Sequence, residues 1–142
     1  MSTGIAVAIA VIFGWLGMVL AISFLEAPLK FRAPGVTTQI GLGIGRLVFR
    51  ALNACESVFA IAVAAALFAT GGGTGVDVAV TAAVAALVAQ IVLVRPFLGR
   101  RTAAVLAGED APRSRAHHAY IALEAVKVVG LMTAGILLLG SA

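Results

Sequence analysis

The sequence predicts an all-α integral membrane protein, a bundle of four transmembrane helices that forms a single membrane domain over residues 1–142. Composition is the first reason: 62% of the residues are hydrophobic and 11% are charged, whereas soluble domains average about 45–50% apolar and about 25% charged residues. The second reason is length. Four separate apolar segments reach the roughly 20 residues that a helix needs to cross a bilayer, so the lipid bilayer is the first expected partner.

Each predicted helix stops at a recognisable signal. The first and third helices stop before Pro28 and Pro96, because the residue ahead of a proline is disfavoured in a helix. The second helix stops at the glycine-rich connector of residues 71–75. The predicted spans are Gly4–Ala27, Leu47–Thr70, Val76–Val94 and His118–Leu139.

Basic residues predict the orientation of the bundle, because cytoplasmic loops collect Lys and Arg. All basic residues except Lys127 lie in or beside two loops, 28–46 and 95–117, and the two termini and the connector contain none. We therefore expect both loops in the cytoplasm, both termini outside, and a multi-pass protein of the cell (inner) membrane. The net charge of +4 does not indicate a nucleic-acid partner, because the charges lie at helix ends rather than on one polar face.

The two halves of the chain resemble each other. At an offset of 68 residues and without gaps, residues of three distinctive types coincide. The matching pairs are Pro28 and Pro96, Arg32 and Arg100, and Glu56 and Glu124. This agreement predicts two tandem helical hairpins, residues 1–70 and 76–142. Each hairpin has an even number of spans, so the two copies would point the same way, as a parallel internal repeat about an axis along the membrane normal.

Ionisable side chains within the spans are the candidate functional residues. Each costs roughly 2.5–3.5 kcal/mol at the centre of a membrane helix, and such residues mark pathways for ions or protons by default. Two of them, Glu26 and Arg95, are close enough to the cytoplasmic surface to extend toward water. The buried polar candidates for transport are Glu26, Glu56, Arg95, Glu124 and Lys127.

Spacing along the helices suggests which of these charges pair. Glu124 and Lys127 are three residues apart, so they share one helix face and can neutralise one another. Glu26 and Lys30 are four apart, but Pro28 lies between them and a continuous helix is not expected there. This pair is therefore not predicted.

Glu56 has no basic residue within four positions on its own helix. Its partner must come from another helix, and Arg95 and Lys127 are the candidates. A buried carboxylate without such a partner would stay protonated. Two interpretations remain open: the charged pairs lock the bundle together, or they move protons, ions or a small solute.

A second group of polar residues, Arg50, His117 and His118, is expected at the membrane interface. Adjacent histidines point about 100° apart on a helix and cannot bind one metal together in the usual way. No Cys or Met cluster adds further ligands, and a haem held between two histidines would need one from another subunit. The sequence therefore indicates no metal ligands, no cofactor and no catalytic residue, so an enzyme is not the expected class.

Two more residues within the spans have simple structural interpretations. Trp15 lies between Gly14 and Gly17, an arrangement typical of close helix packing, with stacking on a substrate as the alternative. Cys55, the only cysteine, is expected to pack as a small hydrophobic residue.

Short motifs spread over most of the chain carry a family resemblance. They are Gly14-Trp15-Leu16-Gly17, Phe24, Pro28, Phe31-Arg32, Gly45-Arg46-Leu47 and Phe49, then Pro96, Arg100-Arg101, Ser114, His117 or His118, and Glu124. With these motifs the chain resembles small four-helix bacterial membrane proteins of unknown function, which are distantly similar to the copper-resistance D membrane domain. The resemblance implies a helical bundle and a link to metal handling, although the chain has only three Met and two His residues.

The residues favour a small integral membrane protein that transports an ion or small solute through a polar site built on Glu56, Glu124 and their basic partners. The alternative is a non-catalytic accessory or scaffold subunit of a larger membrane complex, and a haem- or metal-binding membrane protein is a third interpretation. Because the chain has a mass of only 14.3 kDa, we expect a homo-oligomer or a partner in a membrane complex.

Overall fold

The computed structural model describes residues 1–110 and 115–141, and within these residues the chain is helical without β-strands. Four of its helices are long and apolar enough to cross a membrane, which confirms the prediction of an all-α bundle of four helices. Residues 111–114 of the predicted loop, and Ala142 at the end of the second hairpin, lie outside the described residues. The helices are α1 (Thr3–Arg32), α2 (Thr38–Thr70), α3 (Thr74–Leu106) and α4 (Arg115–Ser141).

Hydroxyl side chains and glycines set the ends of the first helices. Ser2 Oγ accepts a hydrogen bond from the N–H of Ile5, and Thr37 Oγ1 accepts one from the N–H of Ile40, both at 3.1 Å. Each bond satisfies a backbone donor that has no partner within the first turn of a helix. α2 ends at Gly71, whose φ of +73° is a conformation that glycine adopts without steric cost. The chain reverses there, and α3 begins within four residues.

Pro28 and Pro96 do not end α1 and α3, so the predicted helix boundaries at these prolines were wrong. Each proline follows a π-helical segment, Leu20–Glu26 in α1 and Gln90–Val94 in α3. In a regular α-helix a proline ring clashes with the carbonyl group four residues earlier. A π-helical turn is wider, because its hydrogen bonds reach five residues back, and the ring fits without breaking the helix.

The hydrogen bonds just ahead of each proline show this change of register. The N–H of Ala27 donates to the carbonyl of Ile22, and the N–H of Arg95 donates to the carbonyl of Gln90. Both bonds span five residues. Helical structure then continues past the proline, and in α1 it reaches Arg32.

The predicted loops 28–46 and 95–117 are therefore mostly helical in the described residues. Between α1 and α2 only residues 33–37 lie outside a helix, and α3 continues to Leu106. α2 and α3 each contain 33 residues, which corresponds to about 50 Å of helix, whereas the hydrocarbon core is about 30 Å thick. We call the end of the bundle that carries these segments the basic end, and the opposite end the terminal end.

The helices pack as an up-and-down bundle. α1 packs against α2, α3 packs against α4, and α4 also packs against α1, while α2 meets the part of α3 that follows Pro96. The apolar core occupies the half of the bundle nearest the terminal end. Its fully buried members are Ala8, Ile12, Trp15, Val19, Val63, Ala83, Leu131, Ala134 and Leu138.

Gly130 sets the closest approach of α4 to α3, and its replacement should destabilise the fold. A β-carbon at this position would lie 2.8 Å from the carbonyl oxygen of Ala79, closer than non-bonded atoms pack. We expect Gly130→Ala to lower the melting temperature of the detergent-solubilised protein, measured by circular dichroism, because overpacking costs about 1–3 kcal/mol. Gly17→Ala is the control, since nothing lies within 4 Å of a β-carbon there. Equal melting temperatures for the two variants would contradict the packing described.

Candidate functional site

The core changes from apolar to polar in the half of the bundle nearest the basic end. Here five polar or charged side chains are at most 3% exposed. They connect to three further side chains, and together the eight form one hydrogen-bonded cluster to which all four helices contribute. We call this cluster the central polar network. It consists of Trp15, Ser23, Asn53, Glu56, Gln90, Arg95, Glu124 and Lys127.

Lys127 is the centre of the network. Its Nζ lies 2.5 Å from Oε2 of Glu56 and 2.5 Å from Oε1 of Glu124. The side chains of Lys127 and Glu56 are completely buried, and that of Glu124 is 2% exposed. Lys127 is 12 residues from the start of α4 and 14 from its end, or about 18 and 21 Å along the helix axis. One ammonium group and two carboxylates thus meet near the middle of α4, a helix long and apolar enough to cross a membrane.

Glu56 has partners on three helices. Besides Lys127 of α4, the indole N–H of Trp15 in α1 donates to its Oε2 at 2.8 Å, and the amide of Asn53 in α2 donates to its Oε1 at 3.0 Å. The carbonyl oxygen of the same Asn53 amide accepts a hydrogen bond from Arg95 of α3 at 2.8 Å. Asn53 therefore joins Arg95 to the carboxylate, and with this second cation the network contains two negative and two positive groups.

Glu124 connects the π-helical segments of α1 and α3. Ser23, within the first segment, donates from its hydroxyl to Oε2 of Glu124. Gln90, the first residue of the second segment, donates from its amide to Oε1 at 3.1 Å and also to the backbone carbonyl of Tyr120 at 3.1 Å. One carboxylate thus holds both irregular segments, each of which precedes a proline. π-helical turns occur frequently at functional sites.

The network retains hydrogen-bonding capacity that its described neighbours do not use. Among the described residues, Oε1 of Gln90 and the hydroxyl of Tyr120 are buried and have no hydrogen-bond partner. The Tyr120 ring packs edge-on against Phe49, with ring centroids 5.8 Å apart. Tyr120 lies one turn closer to the basic end than Glu124, so this capacity lies between the buried carboxylate and the basic end. Buried polar groups of this kind usually have a partner in the functioning protein.

The two ends of the network differ. Toward the terminal end it is covered by Ile12, Val63 and Leu131, which are completely buried apolar side chains. Toward the basic end, Ser23 and Arg95 are only half-buried. Leu52, Val94 and Tyr120 on the same side are 1%, 8% and 8% exposed, so buried side chains cover the network toward both ends, and Ser23 and Arg95 are its least buried members.

The structure brings together four of the five charged residues predicted as transport candidates. Glu124 contacts Lys127 as their spacing predicts, and of the two partners considered for Glu56, Lys127 binds it directly while Arg95 reaches it through Asn53.

Glu26 lies apart from the central polar network. Its Oε2 is 3.9 Å from Nζ of Lys30, and its side chain is 37% exposed. The expectation that Pro28 prevents this pair was wrong, because the helix continues through the proline. Lys30 is 10% exposed and also lies over the ring of Phe49, 5.8 Å from its centroid.

The interfacial candidates also lie outside the network. Arg50 and His118 are exposed, and the rings of His117 and His118 meet edge-on at the start of α4, with centroids 5.8 Å apart. Within the described ranges, residues 1–110 and 115–141, no three His, Cys, Asp or Glu side chains come close enough together to hold a metal ion. Cys55 is a free thiol exposed on the surface of α2, and its predicted role as a small hydrophobic residue of an apolar span stays a prediction.

Four members of the network were not predicted from the sequence. Asn53 and Gln90 are polar residues within apolar spans, and this signal could have identified them. Ser23 and the indole N–H of Trp15 carry no such signal, because serine and tryptophan are common in membrane helices. Trp15 is completely buried.

Gly14 and Gly17 do not provide the close packing expected beside Trp15. Both are exposed, and no atom lies within 4 Å of a β-carbon at either position. This surface of α1 is therefore open in the single chain.

No protein-family model matches the chain, and neither curated proteins nor solved structures give a match. The resemblance to the copper-resistance D membrane domain stays a prediction, and the function must be argued from the geometry of the site.

Lys127 should be the residue on which the stability of the bundle depends most strongly. Lys127→Met keeps the length of the side chain but leaves two buried carboxylates without their cation, and breaking a buried pair in this way costs about 3 kcal/mol or more. We expect a large loss of stability in chemical denaturation, followed through the emission of the single tryptophan, Trp15. Combining Lys127→Met with Glu56→Gln and Glu124→Gln should recover part of the loss.

Lys30→Met is the matched control for this measurement. It removes an ammonium group whose acidic neighbour, Glu26, is partly exposed to the surroundings, and pairs of this kind contribute about 0–1 kcal/mol. If Lys127→Met were no more harmful than Lys30→Met, the central position of Lys127 would be refuted.

Proposed function

We propose that the protein is a small membrane transporter that moves protons, alone or together with an ion or small solute, through the central polar network. The observation that carries this proposal is that Glu56 and Glu124, both buried, share the single ammonium group of Lys127. Lys127 is the only cation of the network that contacts the carboxylates directly, because the second cation, Arg95, donates to Asn53 rather than to a carboxylate. Because like charges in one site oppose joint ionisation, one of the two carboxylates is the place where the network accepts a proton.

Glu124 provides a physical link between proton uptake and movement of the helices. Hydrogen bonds to an ionised carboxylate are stronger than bonds to a neutral group, so protonation of Glu124 weakens its hold on Ser23 and Gln90. Both of these donors belong to π-helical segments, which are sites where a helix can bend. Loss of the anchor lets the basic-end parts of α1 and α3, beyond Pro28 and Pro96, move relative to the rest of the bundle.

The proposal requires access to the network from both sides of the membrane in turn. In the described conformation the apolar core closes the terminal end, while Ser23 and Arg95 lie half-buried near the basic end. We therefore assign the proton entry to the basic end, where the least buried members of the network lie, and the passage needs the buried side chains of Leu52, Val94 and Tyr120 to move. A second state, in which the apolar core loosens, completes the cycle.

The proposal keeps the predicted orientation and the predicted repeat. We place the protein in the inner membrane of the cell. Its basic end then faces the cytoplasm and both termini face outside, since basic residues collect on the cytoplasmic side. The tandem repeat is supported by the π-helical segments, Leu20–Glu26 and Gln90–Val94, each of which ends two residues before a proline. It is also supported by the equivalent residues Glu56 and Glu124. Each lies on the second helix of its hairpin, and both bind Lys127.

Neutralising Glu124 or Glu56 should abolish proton movement without unfolding the protein. In liposomes that contain the purified protein and a trapped pH-sensitive dye, we expect Glu124→Gln and Glu56→Gln to lower the rate of proton flux by about tenfold or more. A glutamine cannot exchange a proton yet keeps the shape of the side chain. The readout is the dye signal after a potassium diffusion potential is imposed.

Two controls make this experiment decisive. Asp77→Asn removes an exposed carboxylate at the start of α3 and should leave the flux unchanged. Trp15 emission and circular dichroism report whether each variant is folded, and Glu56→Gln should also alter the Trp15 emission, because the indole donates to this carboxylate. Folded Gln variants with the flux of the unchanged protein would rule out the transport proposal.

The alternative, an accessory or scaffold subunit of a larger membrane complex, is favoured by one observation. The surface of α1 around Gly14 and Gly17 is exposed and offers room for another helix. Small residues at such positions allow helix backbones in membranes to approach closely. In this interpretation the central polar network fixes the four helices and the open surface of α1 binds a partner.

Mass measurement on the protein in its own membrane should separate the two functions. Native mass spectrometry after mild detergent extraction should give a mass at a multiple of 14.3 kDa if the protein is a self-contained transporter. A mass that includes unrelated subunits would favour the accessory function. In that case Gly17→Leu should release the partner while the isolated chain stays folded, since no described atom lies within 4 Å of a β-carbon at that position. The matched variant Leu139→Ala alters an exposed residue of α4 and should keep the partner bound.

A further inference from the structure

A groove between α3 and α4 at the basic end combines an apolar surface with positive charge. It has a volume of about 440 Å³. Five of its six lining residues are apolar, and the sixth is an arginine. The lining residues are Leu93, Val94, Phe97, Arg115, Ala116 and Ala119.

Two arginines adjoin this groove, one as a lining residue and one through a lining residue. Arg115, the first residue of α4, belongs to its lining. Arg100 lies over the ring of Phe97, with Cζ 5.2 Å from the ring centroid, and Phe97 is also a lining residue. None of the six lining residues is acidic. The arginine fork binds phosphate oxygens in a bidentate manner, so the polar part of the groove is complementary to a phosphate group.

The apolar part of the groove opens toward the lipid. Leu93 and Phe97 are 63% and 55% exposed, and both belong to a helix long and apolar enough to span the membrane. Ala116 and Ala119 form a shallow floor because their side chains are small. A molecule that fits this surface reaches it from within the bilayer, with an alkyl chain beside Leu93 and Phe97 and an anionic group at the arginines.

We propose that this groove, which we call the lipid groove, binds one anionic phospholipid through its phosphate group and one acyl chain. Basic pockets between transmembrane helices bind anionic lipid headgroups in this way. A zwitterionic phospholipid carries the same phosphate but also places a cationic headgroup beside Arg100 and Arg115, so it binds less tightly. The proposal does not depend on the transport function, because none of the six lining residues belongs to the central polar network.

The test is native mass spectrometry on the purified full-length protein with equal amounts of phosphatidylglycerol and phosphatidylcholine that have identical acyl chains. We expect one phosphatidylglycerol to stay bound in preference to phosphatidylcholine. In the double variant Arg100→Gln/Arg115→Gln, the ratio of bound phosphatidylglycerol to bound phosphatidylcholine should fall by roughly tenfold or more. Each basic residue near the headgroups contributes about a factor of five to the affinity for an anionic lipid.

Arg46→Gln/Arg50→Gln is the matched control, since it removes two exposed arginines from α2 and should keep the preference. Ala119→Phe fills the floor of the lipid groove while leaving both arginines in place, and it should reduce the bound phosphatidylglycerol. Circular dichroism and Trp15 emission verify folding of each variant. Any of three results would overturn the proposal. These are equal retention of the two lipids by the unchanged protein, an equal loss of the phosphatidylglycerol preference in both double variants, and full retention of phosphatidylglycerol in a folded Ala119→Phe variant.

Discussion

The ammonium group of Lys127 is the constraint on which the rest of the structure depends. A bare charge at the centre of a bilayer is strongly unfavourable, so this group must be surrounded by opposite charge and hydrogen-bond partners inside the protein. Glu124 satisfies part of this need from the same helix, and Glu56 brings in α2. Because Lys127 and Glu124 both belong to α4, the 2.5 Å contact between Lys127 and Glu56 is the one that joins α4 to α2 and constrains their relative height and rotation.

The two carboxylates then determine where the other helices lie. Each needs donors beyond the lysine, and α1 and α3 supply them through Trp15, Ser23, Gln90 and, by way of Asn53, Arg95. The π-helical segments fit this requirement in two ways. They let α1 and α3 pass a proline without breaking, and they carry two of the donors that Glu124 needs. The prolines and the polar network are thus parts of one arrangement.

The number and approximate position of the helices could be predicted because each span needs only length and apolar composition. The helix boundaries at Pro28 and Pro96 could not be predicted in this way. The rule that a proline ends a helix assumes regular α-helical geometry, and a π-helical turn does not have that geometry. The Glu124–Lys127 contact followed from spacing on one helix. Contacts between helices depend on rotation and height, which the sequence does not specify, so Ser23 and Trp15 were not expected to donate to the carboxylates.

A buried ion network is weak evidence that charges are present for stability, because well-packed apolar residues of similar size often stabilise a fold as much or more. If the network only held the helices together, one carboxylate for one lysine would be sufficient, and Arg95 would add a further cost of burial. The additional carboxylate, Glu124, contacts the same ammonium group as Glu56, and Ser23 and Arg95 at the edge of the network are half-buried. In α1 and α3 the residues that respond to such a change of charge lie in π-helical segments, where the backbone can adjust. In the proposed transport function these features act together: a carboxylate that changes its charge, its hydrogen bonds to two segments that can bend, and the apolar core toward the terminal end.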